Sequence, residues 1–198
     1  MNLFNNPTYN NSFLGSSSAK PIAGICTKTA YSRPLTQGKI TENFIAVGYP
    51  VKITNKISDN QNSSVNAGTG LAPNVLNVAK ATDSVDGFTV MAPNVVLEDG
   101  DNFPKYLKNQ IAQIAILGSG AEIYLPANNN LIGLQVAKEQ LCWNVADKKV
   151  EQGIGDGSSK LSLGVVTILS QVVDGIYSYV DDEGVCKTEE TPVIKIKL

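Results

Sequence analysis

Two stretches decide the fold: Leu161-Ser162-Leu163-Gly164-Val165-Val166-Thr167-Ile168-Leu169, and Val193-Ile194-Lys195-Ile196-Lys197-Leu198 at the end of the chain. The second alternates apolar and basic side chains at every second position. That is the period at which side chains leave opposite faces of a pleated strand. The first is a strongly apolar, β-branched run, as expected of a central strand. Between them, residues 172–180 (VVDGIYSYV) alternate again, and the acidic segment 181–192 (DDEGVCKTEETP) reads as an exposed connection.

The same grammar extends toward the N-terminus. Residues 110–117 (QIAQIAIL) and 121–125 (AEIYL) flank Gly118-Ser119-Gly120 and read as a hairpin. Helical spacing also fits 105–117 through Ile111, Ile114 and Ala115, but the run into glycine favours a strand for its second half. Residues 44–47 and 51–54 read as two strands around Gly48-Tyr49-Pro50. Residues 75–79, 88–91, 133–137 and 141–145 are further short strands, the last closed by residues 146–149. Residues 58–70 (SDNQNSSVNAGTG) are a polar loop with almost nothing to bury. Some ten short strands punctuated by Gly, Asn and Pro predict an all-β fold, a β-barrel or sandwich. The expected organisation is an extended N-terminal arm over residues 1–20 and one β-barrel or sandwich domain over 21–198. The arm is rich in Asn and Ser and lacks either periodicity. Its apolar residues Leu3, Phe4, Tyr9, Phe13 and Leu14 are the candidate partner-binding anchors.

Composition narrows the function. Charged residues make up 17% of the 198-residue chain, with the missing polarity supplied by neutral amides and hydroxyls. Such a surface needs fewer ions desolvated on contact with another protein. The formal net charge is −2, and Arg33 is the only arginine. Without a basic stripe, nucleic-acid binding is not expected. No apolar run approaches a membrane span, and the opening MNLFNNPTYNNSF has no secretory pattern, so synthesis in the cytoplasm is expected. Cys26, Cys142 and Cys186 are odd in number and far apart, which predicts buried free thiols.

Histidine is absent from the sequence. Ser-His-Asp and Cys-His sites, and the commonest zinc ligand, are thereby removed. Residues 114–121 open like a dinucleotide-binding turn, but Ile123 stands where the third glycine belongs, and a strand follows instead of a helix. Acidic residues at 98–102 and 181–183 lack the ligand spacing of a calcium loop. Asp156, in Gly153-Ile154-Gly155-Asp156-Gly157, is the one candidate for half of a carboxylate pair, with no partner named by the sequence. Trp143, the only tryptophan, reads as core filler. The expectation is a protein without catalytic residues, cofactor or metal.

The strand running into Val47-Gly48-Tyr49-Pro50-Val51, the Asp86-Gly87-Phe88 strand start, residues 115–118 with 121–125, Gly133 to Ala137 and Leu163-Gly164-Val165-Val166-Thr167 together resemble the cement, or capsid-decoration, proteins of tailed bacteriophages. The resemblance covers residues 44–180 and rests on strand pattern rather than on a diagnostic motif. It implies a small β-barrel that binds the outer surface of an assembled capsid and stabilises contacts between capsomers. The implied partners are the major capsid protein and other copies of this chain, on the virion exterior. The long Asn- and Ser-rich start and the acidic connection near the C-terminus depart from that pattern, and no functional residue carries over. Two other readings remain open. One is a carbohydrate- or host-receptor-binding β module of a phage fibre or tail, using Trp143, Tyr106, Tyr124, Tyr177 or Tyr179. The other is a carboxylate enzyme such as a glycosidase.

Overall fold

A computed structural model of the chain describes residues 20–28, 35–54, 74–77, 83–91, 105–134, 137–181 and 185–198. The protein is all-β. In chain order the strands are β1 (Cys26–Lys28), β2 (Leu35–Ile40), β3 (Phe44–Ala46), β4 (Pro50–Thr54), β5 (Asn74–Asn77), β6 (Gly87–Val90) and β7 (Lys105–Leu107). They continue as β8 (Ile111–Ile116), β9 (Glu122–Pro126), β10 (Lys138–Asn144), β11 (Lys149–Gln152), β12 (Lys160–Ile168), β13 (Val173–Val180) and β14 (Cys186–Lys197). A single 3-10 turn at Asn129–Leu131 is the only helical element among the described residues.

Five strands close into a small barrel in the order β2-β5-β4-β6-β8, with β2 and β5 parallel and the other pairs antiparallel. The ribbon β3–β7 contributes to the same core: Ile45 and Tyr106 are buried there with Ile40, Val51, Ala112 and Ile114. The larger sheet runs β1-β9-β14-β12-β10-β11, with β13 also on β14. Its far edge curls back toward its beginning. Ala127, just past β9, bridges Val150 of β11, and Asn128 N–H donates to the Val150 carbonyl at 2.8 Å. Trp143, Leu125, Leu141, Ile123 and Ile194 fill the core so enclosed.

The two cores share a wall. In β6 all four residues are buried. Phe88 and Val90 point to the larger core, and Thr89 sits opposite Ile114, a residue of the smaller one. Burial on both faces explains why this segment reads as a continuous apolar run broken only by threonine. The Thr89 hydroxyl donates to the Ala46 carbonyl at 2.6 Å and accepts from Tyr49 N–H at 3.1 Å. A second junction is made by glycines. Gly24 and Gly48 both have positive φ, and a side chain on Gly24 would lie 2.2 Å from Val47 Cγ1 and 2.4 Å from Gly48 N. Gly24 N–H donates to the Tyr124 carbonyl of β9, and Gly24 accepts from Met91 just after β6. Only residues without a Cβ allow backbone from the two units to approach this closely.

Several local expectations change. The segments 110–117 and 121–125 are strands but not a hairpin: β8 pairs with β2 and β6, whereas β9 pairs with β1 and β14. The Gly118–Gly120 turn therefore carries the chain from the barrel to the larger sheet. Likewise β3 and β4 flank a tight turn but pair with β7 and with β5 and β6, respectively. The first half of 105–117 is strand β7 and a turn. Of the expected strand 133–137, residues 133–134 end a turn after the 3-10 segment and 135–136 lie outside the described residues; β10 begins at Lys138. Much of the acidic connection is strand, because β14 starts at Cys186 and pairs with β13 from Val180↔Cys186 to Val173↔Val193. Pro192 sits where β14 changes neighbours, its carbonyl accepting from Ala127 N–H. There its missing N–H costs the ladder least. The loop 58–70 lies outside the described residues.

Candidate functional site

The larger sheet carries its buried charge where it curls shut. Glu151 on β11, Cys142 on β10 and Ser162 on β12 are cross-strand neighbours in one row, and Lys149, Asn144 and Lys160 form the next. Alternation sets this row against the opposite face, where Leu141, Trp143, Val150 and Leu161 belong to the core. Glu151 is 5% exposed. Its Oε1 takes the Lys160 ammonium at 2.6 Å and lies 3.8 Å from Cys142 Sγ. Its Oε2 accepts from Asn128 Nδ2 at 3.2 Å and from Asn144 Nδ2 at 3.3 Å. The same two amides reach Asp147 Oδ2, at 3.1 and 2.9 Å. Asn144 is held from its other end, its Oδ1 accepting from the N–H groups of Ala146 and Asp147 at 3.0 and 3.1 Å.

Burial alone would push the Glu151 carboxyl upward. The Lys160 ammonium and the two asparagine amides outweigh it and hold the group below its ordinary range. Cys142 moves the other way, pushed up to about 11 by desolvation and by the neighbouring Glu151 charge. It is a buried free thiol, inert as a nucleophile in that state. Cys26 is half-buried and in no disulfide among the described residues. This Glu151 network was missed in the sequence, where residues 146–149 read as a turn and strand β11 went unrecognised. The alternation Lys149-Val150-Glu151 was the available signal.

The sequence-derived candidates resolve as follows. Asp156 is engaged within its own loop. Its Oδ1 accepts from the N–H groups of Ser158, Ser159 and Lys160, and its Oδ2 from the Ser159 hydroxyl. Those donors hold it far below the usual carboxylate range, so it fixes the β11–β12 loop. Asp181 closes the β13–β14 turn onto Val185 N–H and the Lys187 ammonium. Residues 98–102 lie outside the described residues, as do Leu3, Phe4, Tyr9, Phe13 and Leu14 of the arm. The described chain begins beside β13, where Ile176 N–H donates to the Pro21 carbonyl and Lys20 pairs with Glu190. Trp143, Tyr106 and Tyr177 are fully buried. Of the five aromatics considered for a sugar platform, only Tyr124 and Tyr179 are even partly exposed, and Tyr179 already stacks on Tyr177.

Among the described residues no group of three or more Cys, Asp or Glu side chains is arranged to hold a metal ion, and no helix is long and apolar enough to cross a membrane. Comparison with protein-family models, with curated proteins and with solved structures finds no match.

Proposed function

We propose that this chain is a virion structural protein that binds the outer surface of a phage capsid and stabilises contacts between capsomers, without enzymatic activity. The observation carrying the reading is the commitment of the buried charge. Glu151 spends both carboxylate oxygens on neighbouring strands. A carboxylate so enclosed, only 5% exposed, is closed to an outside substrate and acts only within the chain itself. A strand-built body with few charged residues suits adhesion to a protein lattice. Repeated over many symmetric copies, even a modest interface raises the stability of a shell by mass action. The partner is then the major capsid protein, with neighbouring copies of this chain in contact on the virion exterior. Leu3, Phe4, Tyr9, Phe13 and Leu14 anchor the arm on an adjacent subunit.

The test is sedimentation with assembled shells lacking decoration protein. The full chain should pellet with them and saturate at a fixed number of copies per shell. A chain lacking residues 1–19 keeps Lys20 and Pro21 on β13 and should fold, yet occupy fewer sites. Failure of the full chain to sediment would reject the capsid reading; undiminished occupancy by the truncated chain would reject the arm's part in it.

A further inference from the structure

We propose that Lys160 and Asn144 join covalently through an intramolecular isopeptide bond whose formation is assisted by Glu151. The proposal is independent of the capsid reading and stands on the arrangement of three side chains. Lys160 of β12 and Asn144 of β10 are directly opposed in register, so their side chains leave the same face with Cα atoms about 5 Å apart. The two oxygens of one carboxylate bridge the prospective nucleophile and leaving group. Glu151 Oε1 is 2.6 Å from Lys160 Nζ, and Oε2 is 3.3 Å from Asn144 Nδ2. The carbonyl to be attacked is already polarised, because Asn144 Oδ1 accepts two backbone N–H bonds, from Ala146 and Asp147. Paired donors of this kind are what a tetrahedral oxyanion needs. Asp147 Oδ2, 2.9 Å from Asn144 Nδ2, holds the departing nitrogen from a second side. Asn128 also reaches Glu151, but it lies across β11 from Lys160, and its carbonyl oxygen accepts one backbone N–H, from Asn129.

The reaction balances without an oxidant or cofactor. Hydroxide removes a proton from the Lys160 ammonium, and the freed amine attacks Asn144 Cγ. The resulting oxyanion rests on the Ala146 and Asp147 N–H groups. Glu151 relays a proton from the attacking nitrogen to Nδ2, the Cγ–Nδ2 bond breaks, and ammonia departs, becoming ammonium by a proton from water that restores the hydroxide. One lysine ammonium and one carboxamide become one secondary amide and one ammonium ion, so charge is conserved and Glu151 ends ionised as it began. The pairing with Glu151 holds Lys160 protonated to higher pH than an ordinary lysine. The reaction is therefore slow at neutral pH and quickens as the solution is made mildly alkaline. A single turnover per chain suffices. The bond ties β10 to β12 beside the closure of the larger sheet.

Intact-mass measurement of the purified full chain tests this. After incubation in mildly alkaline buffer the wild type should be lighter than its sequence mass by one ammonia, and fragmentation should give a branched peptide joining residues 144 and 160. Lys160→Arg, which keeps the charge, and Glu151→Gln should both retain the full sequence mass. Circular dichroism would establish that Lys160→Arg is folded. A wild-type chain still at full mass after prolonged incubation overturns the proposal. So does an ammonia loss that persists in Lys160→Arg, which would mark cyclisation of an asparagine on its own backbone.

Discussion

The small barrel and the larger sheet are both curled β structures with apolar cores, yet they are closed by different forces. In the barrel, β2-β5-β4-β6-β8 pair all the way round, so closure is by backbone ladder, and the buried Lys105 lies on the adjoining β7 rather than on a closing strand. Thr89 bonds to Ala46 and Tyr49, and the Tyr106 hydroxyl donates to the Val90 carbonyl at 2.6 Å. Burial pushes that phenol up to about 12, keeping it a neutral donor. The larger sheet does not complete its ladder. One bridge at Ala127 and Val150 brings the edges together, and the Asn128-Asn144-Asp147-Glu151-Lys160 cluster ties them. Backbone pairing is insensitive to pH and to most side-chain changes, whereas a charged clasp responds to both. The larger sheet is therefore where solution conditions and single substitutions should act selectively.

The largest effect should come where the two regions meet. Trp143 of β10 packs against Phe88 of β6 and Tyr49, with ring centroids 5.9 and 5.8 Å away. Its Nε1 has no hydrogen-bond partner among the described residues, so its contribution is packing. Trp143→Ala should cost about 3–5 kcal/mol in denaturant unfolding. Gly24→Ala should follow, at about 2–4 kcal/mol, because the added methyl meets backbone as well as Val47 and the residue must keep a positive φ. Thr89→Val, confined to the barrel side, removes a donor to the buried Ala46 carbonyl and should cost about 1–3 kcal/mol.

The smallest effect is the pH response of the unlinked chain. The Glu151 carboxyl is lowered from its ordinary 4.5 on folding. Its contribution is thus full above that value and fades as the pH falls through the folded one. Asp156 acts in the same sense from its ordinary 3.8 downward. Wild-type stability should drop on acidification below about pH 4.5. Glu151→Gln should be less stable at neutral pH but lose less on acidification. Parallel curves for the two proteins would remove Glu151 as the acid-sensitive group.

Strand content was legible wherever one physical signal dominated. Residues 161–169 and 193–198 read correctly as strand because a dense β-branched run, or strict alternation, leaves little choice of conformation, although β12 is buried on one face only and leaves Val165 65% exposed. Pairing was not legible. The Gly118–Gly120 turn marks a reversal but not its purpose, since the same residues serve a hairpin or a passage between sheets. The strands β11 and the first half of β14 escaped because Lys149, Glu151, Lys187, Glu189 and Glu190 look solvated. Their strand partners, β10 and β13, are near in sequence, but their own charged side chains are paired by residues far along the chain, as in Lys149–Glu189 at 3.0 Å. The clasp was hidden for the same reason. Asn128, Asn144, Glu151 and Lys160 are unremarkable along the chain and meet only once the sheet has curled.

Amide hydrogen exchange on the wild type and Glu151→Gln at neutral pH tests the contrast most directly. Protection should fall at residues 127–128, 144–151 and 160, while β4, β6 and β8 keep theirs. Equal loss in both regions, or none at the closure, would contradict a charged clasp on one sheet and a self-sufficient ladder in the other.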